Sequence, residues 1–197
     1  MKVGVLALQG DVPEHLQALA PLLPKGALVP VRTPEDLAGV GALFFPGGES
    51  TTIAGLIEKA RLWRPLESRL TEGLPVLGTC AGLILLAKDL VPSTSGRDPP
   101  RFGLLDVRVL RNGYGAQRES FEGPVRVEGV RGPPFPGVFI RAPRILGVGP
   151  GVTPFAWREN EVVGVRSGTV WGTTFHPELA GDLRLHRHFL ESATAPR

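Results

Sequence analysis

Apolar positions in the first half of the chain fall in short, nearly unbroken runs: KVGVLAL (2–8), ALVPVR (27–32), GALFF (41–45) and PVLGT (75–79). Runs of this length with consecutive apolar residues suit strands buried on both faces. The stretches between them carry polar residues at helical spacing. Asp11 opens the first, with Pro13 in the first turn and Glu14 three residues after the cap, which predicts a helix start. Helices are predicted again over 51–60 and about 64–72, with a short polar segment at 34–37. Strands alternating with helices predict a parallel sheet covered on both faces.

The second half has a different rhythm. LLDVRVLR (104–111), PVRVEG (124–129), GVFIRAP (137–143), EVVGVRS (161–167) and TVWGTTF (169–175) are short β-rich runs separated by turns, and 183–192 predicts a closing helix. VPSTSGRDPPR (91–101) reads as a long exposed loop. With no internal repeat and no linker, the chain is read as one α/β domain over 1–197 with a mixed sheet, and 197 residues suffice for one well-buried core.

Charge and composition narrow the functional classes. The formal charge is +3, and the basic residues are dispersed without interleaved aromatics, so no nucleic-acid footprint is expected. One cysteine cannot form an intrachain disulfide, which fits a reducing compartment. The apolar run after Lys2 is too short for a signal-peptide core, and no run approaches the ~20 residues that span a bilayer. A cytoplasmic protein without membrane contact is the expectation.

The lone cysteine sits in PVLGTCAGLILLAK (75–88), where a strand turns into an apolar helix face over Leu83 to Ala87. A sharp strand-to-helix turn tolerates only small neighbours, here Ala81 and Gly82, and lifts the hinge side chain above the sheet edge. Cys80 reads either as a small buried hydrophobe or as a nucleophile, which needs a base to make the thiolate. Of four histidines, His186 and His188 are expected on a solvated helix surface, and His15 at a surface or helix-packing position. His176, in TTFHPEL (173–179), follows a strand directly. Glu178 stands two residues on, on the same side of an extended segment, and is placed to hold the imidazole tautomer that a base requires. HPE alone also reads as a turn with a capping carboxylate. Gly47-Gly48 after the third strand make either a turn or a close backbone approach to a ligand. In the latter case one glycine amide and that of Ala81 form an oxyanion hole. No phosphate-loop spacing is present, and one Cys with scattered His gives no metal-ligand pattern.

These residues resemble class I glutamine amidotransferases in LPVLGTCAGLILLAK and the distant FHPEL. With VGVLALQGDVPEH (3–15), FPGGESTTI (45–53), RNGYG (111–115), SFEG (120–123) and GVFIRAP (137–143), the chain is similar to the glutaminase-subunit family of pyridoxal 5′-phosphate synthases from about Val3 to Phe189. The resemblance implies a three-layer α/β sandwich around a mixed, mostly parallel sheet. It also implies hydrolysis of L-glutamine, without a cofactor or metal, and transfer of the ammonia to a separate synthase subunit. It makes Cys80, His176 and Glu178 the triad, and Gly48 and Ala81 the oxyanion hole. Gly48, Glu49, Ser50, Arg111, Ile140 and Arg141 become glutamine contacts, and Gln9 lies at the synthase-facing edge. RNGYG departs mildly from the family pattern at Gly113 and Tyr114, and the 91–101 loop is unusually rich in Pro and Arg.

Overall fold

The doubly apolar runs become the parallel half of one large sheet. The computed structural model describes residues 1–92, 98–114 and 120–195. Strand β1 (Lys2–Leu6) leads to helix α1 (Val12–Leu19), β2 (Leu28–Val31), a one-turn helix α2 (Pro34–Leu37) and β3 (Val40–Phe45). Helices α3 (Ser50–Lys59) and α4 (Trp63–Thr71) precede β4 (Val76–Thr79), which runs into α5 (Ala81–Leu86) and β5 (Ala87–Leu90). The strands β6 (Leu105–Leu110), β7 (Phe121–Val127), β8 (Phe135–Phe139), β9 (Arg144–Val148) and β10 (Thr153–Arg158) follow. The last elements are β11 (Glu161–Ser167), β12 (Val170–Thr173) and α6 (Arg184–Thr194).

The nine-stranded sheet has the order β2-β1-β3-β4-β12-β11-β10-β7-β8, and β5-β6-β9 form a small second sheet. Pairings from β2 through β12 are parallel, and those from β12 to β8 antiparallel. Side chains alternate between its faces. Val5, Phe44, Leu77 and Trp171 pack on one side with Leu19 of α1 and Leu185 and Phe189 of α6. Leu6, Leu43, Phe45 and Val76 pack on the other with Ile53 and Ile57 of α3, Leu66 and Leu70 of α4, and Leu83 of α5. Each such side chain contributes roughly 1.5–3 kcal/mol of burial. The expected three layers and mixed sheet are present.

Boundaries differ where short strands carry charges. The helix expected through Ala87 stops at Leu86, because Ala87–Leu90 pairs with β6 while Lys88 and Asp89 stay exposed. β9 and β10 had no expectation at all; Pro154 and the glycine of RILGV blur their alternation. β8 ends at Phe139, so Ile140 and Arg141 leave the strand that GVFIRAP suggested and form a turn. Residues 93–97 of the expected loop, and Gly115 of RNGYG, lie outside the described residues. No helix of the described residues is long and apolar enough to cross a membrane.

Candidate functional site

The site forms at the carboxyl ends of β1, β3, β4 and β12, where an open α/β sheet places ligands. β4 and β12 are parallel neighbours in the register Thr79 to Thr173. Cys80 follows directly, and its N–H donates to the Thr173 carbonyl at 2.8 Å. That bond holds Cys80 at φ 50°, ψ −100°, a conformation costing a non-glycine residue ~1–3 kcal/mol. Gly82 lets α5 start at once, since a Cβ there would collide with the Phe45 carbonyl. The thiol is almost covered and faces the Ile140 carbonyl at 4.0 Å.

His176 lies just beyond β12, anchored by its N–H to the Val138 carbonyl at 2.8 Å. Its Nδ1 meets two carboxylates, Glu178 Oε1 at 2.8 Å and Asp11 Oδ2 at 3.1 Å. Glu178 reaches it from the one-turn 3-10 helix Pro177–Leu179, not from the extended segment the HPE spacing suggested. Burial opposes charge on His176, but its interactions with Asp11, Cys80 and Glu178 outweigh burial and hold its pKa well above the ordinary value. Gly47 packs directly against the ring, and a Cβ there would collide with His176 Cε1. Burial opposes ionisation of Glu178 too, yet His15 and His176 keep its pKa below the usual carboxylate range. Asp11, His176 and Glu178 are the one group of described residues whose ligand atoms, all within 4.8 Å, are placed to share a cation. Both carboxylates address the same ring nitrogen, so what they share here is its proton.

A cavity of about 160 Å³ opens beside the thiol, lined by Asp11, Gly48, Glu49, Cys80, Ile84, Arg111, Asn112, Ile140, Arg141 and His176. That is smaller than pockets for drug-sized ligands. Carboxylates and guanidiniums on the same wall suit a small zwitterion. Glu49 caps α3 by accepting from the Thr52 N–H at 2.7 Å, and Arg111 Nη2 donates to Glu49 Oε1 at 3.2 Å. Arg111 also lies 3.8 Å from Asp98. Arg141 sits at φ 43° in the turn after β8. Ser50 and Ala81 are buried beneath the wall and are not among its lining residues. Gln9 Oε1 accepts from the Glu49 N–H at 3.0 Å and so ties the end of β1 to the loop before α3.

Asp11 and His186 sit differently from their expected places, and His15 takes the helix-packing one of its two expected positions. Asp11 stands at the N-cap of α1, but its side chain makes no capping bond and turns to His176. His15 is fully buried behind Glu178. Its four-residue spacing from Asp11, which puts both on one side of α1, was the available signal. His186, expected in solvent, is fully buried and stacked on Phe44 at 5.6 Å, because it falls on the face of α6 shared with Leu185 and Phe189. His188 is partly covered and meets Trp171 edge-on.

The model of the SNO glutamine amidotransferase family matches residues 5–195. A curated relative, the pyridoxal 5′-phosphate synthase subunit PdxT of Pyrococcus horikoshii, is 47% identical over 195 residues, covering 96% of this chain and 98% of its own. The protein of the same name from Streptomyces coelicolor is 49% identical, with 99% and 95% covered. A crystal structure of a glutamine amidotransferase superposes with a TM-score of 0.89 at 46% identity, covering 99% of this chain and all of its own. PurLQS from Thermotoga maritima, at TM-score 0.67 and 15% identity, shares the fold over 98% of this chain and 96% of its own.

Proposed function

The chain belongs to the SNO glutamine amidotransferase family, and from that premise we propose that it hydrolyses L-glutamine to L-glutamate and ammonia and works as the glutaminase subunit of a pyridoxal 5′-phosphate synthase. Cys80 is the nucleophile, His176 the acid and base, and Glu178 the group that orients and charges the imidazole. The observation that carries the reading is the convergence of the strained Cys80 turn with an imidazole whose Nδ1 is held by buried Glu178.

The thiolate adds to the carboxamide carbon, and the resulting oxyanion is received by the Gly48 and Ala81 amides. His176 gives its proton to the leaving nitrogen, so ammonia departs and a thioester remains. A water then loses a proton to His176 as it attacks the thioester, and glutamate leaves as the thiol is restored. The zwitterionic end of glutamine is met by the wall of Glu49, Arg111 and Arg141, with the Ile140–Arg141 turn contributing backbone. Arg111 serves the substrate while still paired with Glu49. Gln9, at the rim, marks the edge where the synthase subunit docks and receives ammonia.

Ammonia release from L-glutamine, measured for the wild type and Cys80→Ala with and without the synthase subunit, tests the proposal. Release that depends on Cys80 is expected. None from the wild type, beside a synthase that works with free ammonium, overturns it.

A further inference from the structure

Glu178 has two carboxylate oxygens, and the triad accounts for one. Oε1 accepts from His176 Nδ1. Oε2 is fully buried without a short hydrogen bond among the described residues, and the polar group that reaches it is His15 Nε2 at 3.5 Å. A carboxylate oxygen left alone in the interior is costly.

The same His15 nitrogen lies 3.1 Å from Thr79 Oγ1, and Thr79 is the residue before Cys80. Thr79 donates its hydroxyl proton to the Phe45 carbonyl at 3.5 Å, so towards His15 it accepts. An Nε2 lone pair would face the anionic Glu178, so Nε2 carries the proton. Both neighbours therefore select one tautomer, with Nε2–H shared between Thr79 and Glu178. His15 thus links Thr79, the residue before Cys80, to Glu178 and through it to His176.

We propose that His15 is a positioning residue of the reaction, whose Nε2–H keeps Glu178 ionised and aimed at His176 and ties that carboxylate to the strand bearing the nucleophile. This rests on the triad reading above and adds to it a residue on α1. The charged and titratable groups facing His15 are Glu178, His176, Asp11 and Glu14, with the ring of His186 5.7 Å away edge-on. Burial keeps His15 itself neutral by lowering its pKa, so it serves as a fixed donor, not as a proton carrier.

The test compares His15→Phe, which fills the site without a donor, with His15→Gln, whose amide N–H reaches about as far as Nε2. Each is assayed with the synthase subunit, per active site titrated by an electrophilic glutamine analogue, so misfolded protein does not count. For His15→Phe, kcat should fall on the order of tenfold with KM little changed, the loss of one hydrogen bond to a charged group. The alkaline limb of kcat/KM, where His176 gives up its proton, should move down by roughly one pH unit, since a less anionic Glu178 supports the imidazolium less. His15→Gln should restore most of kcat and return the limb. An unshifted limb in His15→Phe, or a His15→Gln variant equally impaired, overturns the proposal and assigns His15 to packing. A wild type without Cys80-dependent turnover fails at the earlier step, and both readings fall together.

Discussion

Two carboxylates on one ring nitrogen make a quantitative prediction. Glu178 is fully buried and 2.8 Å from His176 Nδ1, whereas Asp11 is 3.1 Å away with 31% of its side chain exposed. A hydrogen bond to a charged partner contributes ~1.5–3 kcal/mol, and burial puts Glu178 at the upper end. Glu178→Gln should therefore lower kcat/KM on the order of 100-fold, at about tenfold per 1.4 kcal/mol. Solvent screening reduces the Asp11 contribution to about 1 kcal/mol, so Asp11→Asn should cost roughly fivefold. Independent effects would multiply to several hundredfold. The two acids instead substitute for each other, because either one alone keeps the proton on Nδ1 and Nε2 free to act. With both neutralised, the loss should approach the ~10⁴-fold seen when a triad acid is replaced by its amide. That corresponds to a coupling of about 1–2 kcal/mol. Single-turnover thioester formation, measured for the four proteins at one pH with the synthase subunit present, reads the step directly. A double variant no worse than the product of the singles would refute the shared-proton argument, and Asp11 would then be a bystander at the rim.

Three further outcomes follow from the geometry. Cys80→Gly should melt higher than Cys80→Ala by about 2–4 °C, because glycine relieves the φ 50° turn by ~1 kcal/mol, and equal or reversed melting temperatures would show that the turn stores no strain. Gly47→Ala should keep the fold but lose on the order of 100-fold in kcat, since its methyl displaces His176; near-normal kcat would mean that the loop yields instead. His186 has its pKa lowered to about 3 chiefly by burial, so it contributes stability above the unfolded value near 6.5 that is lost as pH falls towards 3. His186→Leu should therefore flatten the acid side of the stability curve between pH 6 and 4 by up to about 1.4 kcal/mol per pH unit, as measured by urea melts, and an unchanged slope would show that His186 is not buried neutral.

The parts of the site that were legible in the sequence are those whose chemistry is local. Cys80 among small residues at a strand-to-helix junction announces its turn, and HPE places an acid beside a histidine by chain proximity alone. The parallel strands were legible because burial on both faces leaves no polar alternation to confuse. Asp11 was misread because its local role as a helix cap is satisfactory on helix propensity alone, and propensity does not choose between the surface and helix-packing positions left open for His15. Only the arrival of the 176–178 segment, some 160 residues later, gives them partners. β5 escaped notice because Lys88 and Asp89 interrupt an apolar run that otherwise continues α5. His186 was hidden by its Arg neighbours on α6, although three of the four residues at 185, 186, 189 and 190 are apolar and all four are buried.

The strand order also carries a consequence for the order in which the protein is made. β12, the last strand in sequence, is inserted at the middle of the large sheet, between β4 and β11. Until the ribosome has released residues 170–173, β4 has no neighbour on that side, and the Thr173 carbonyl that bends Cys80 does not exist. From the making of residue 80 until residue 176 follows, the nascent chain therefore carries an unconstrained thiol without its base, and long-range pairing of this kind is slow. Reactivity arrives late and all at once, with the same strand that completes the core, so an unfinished chain is an inert one.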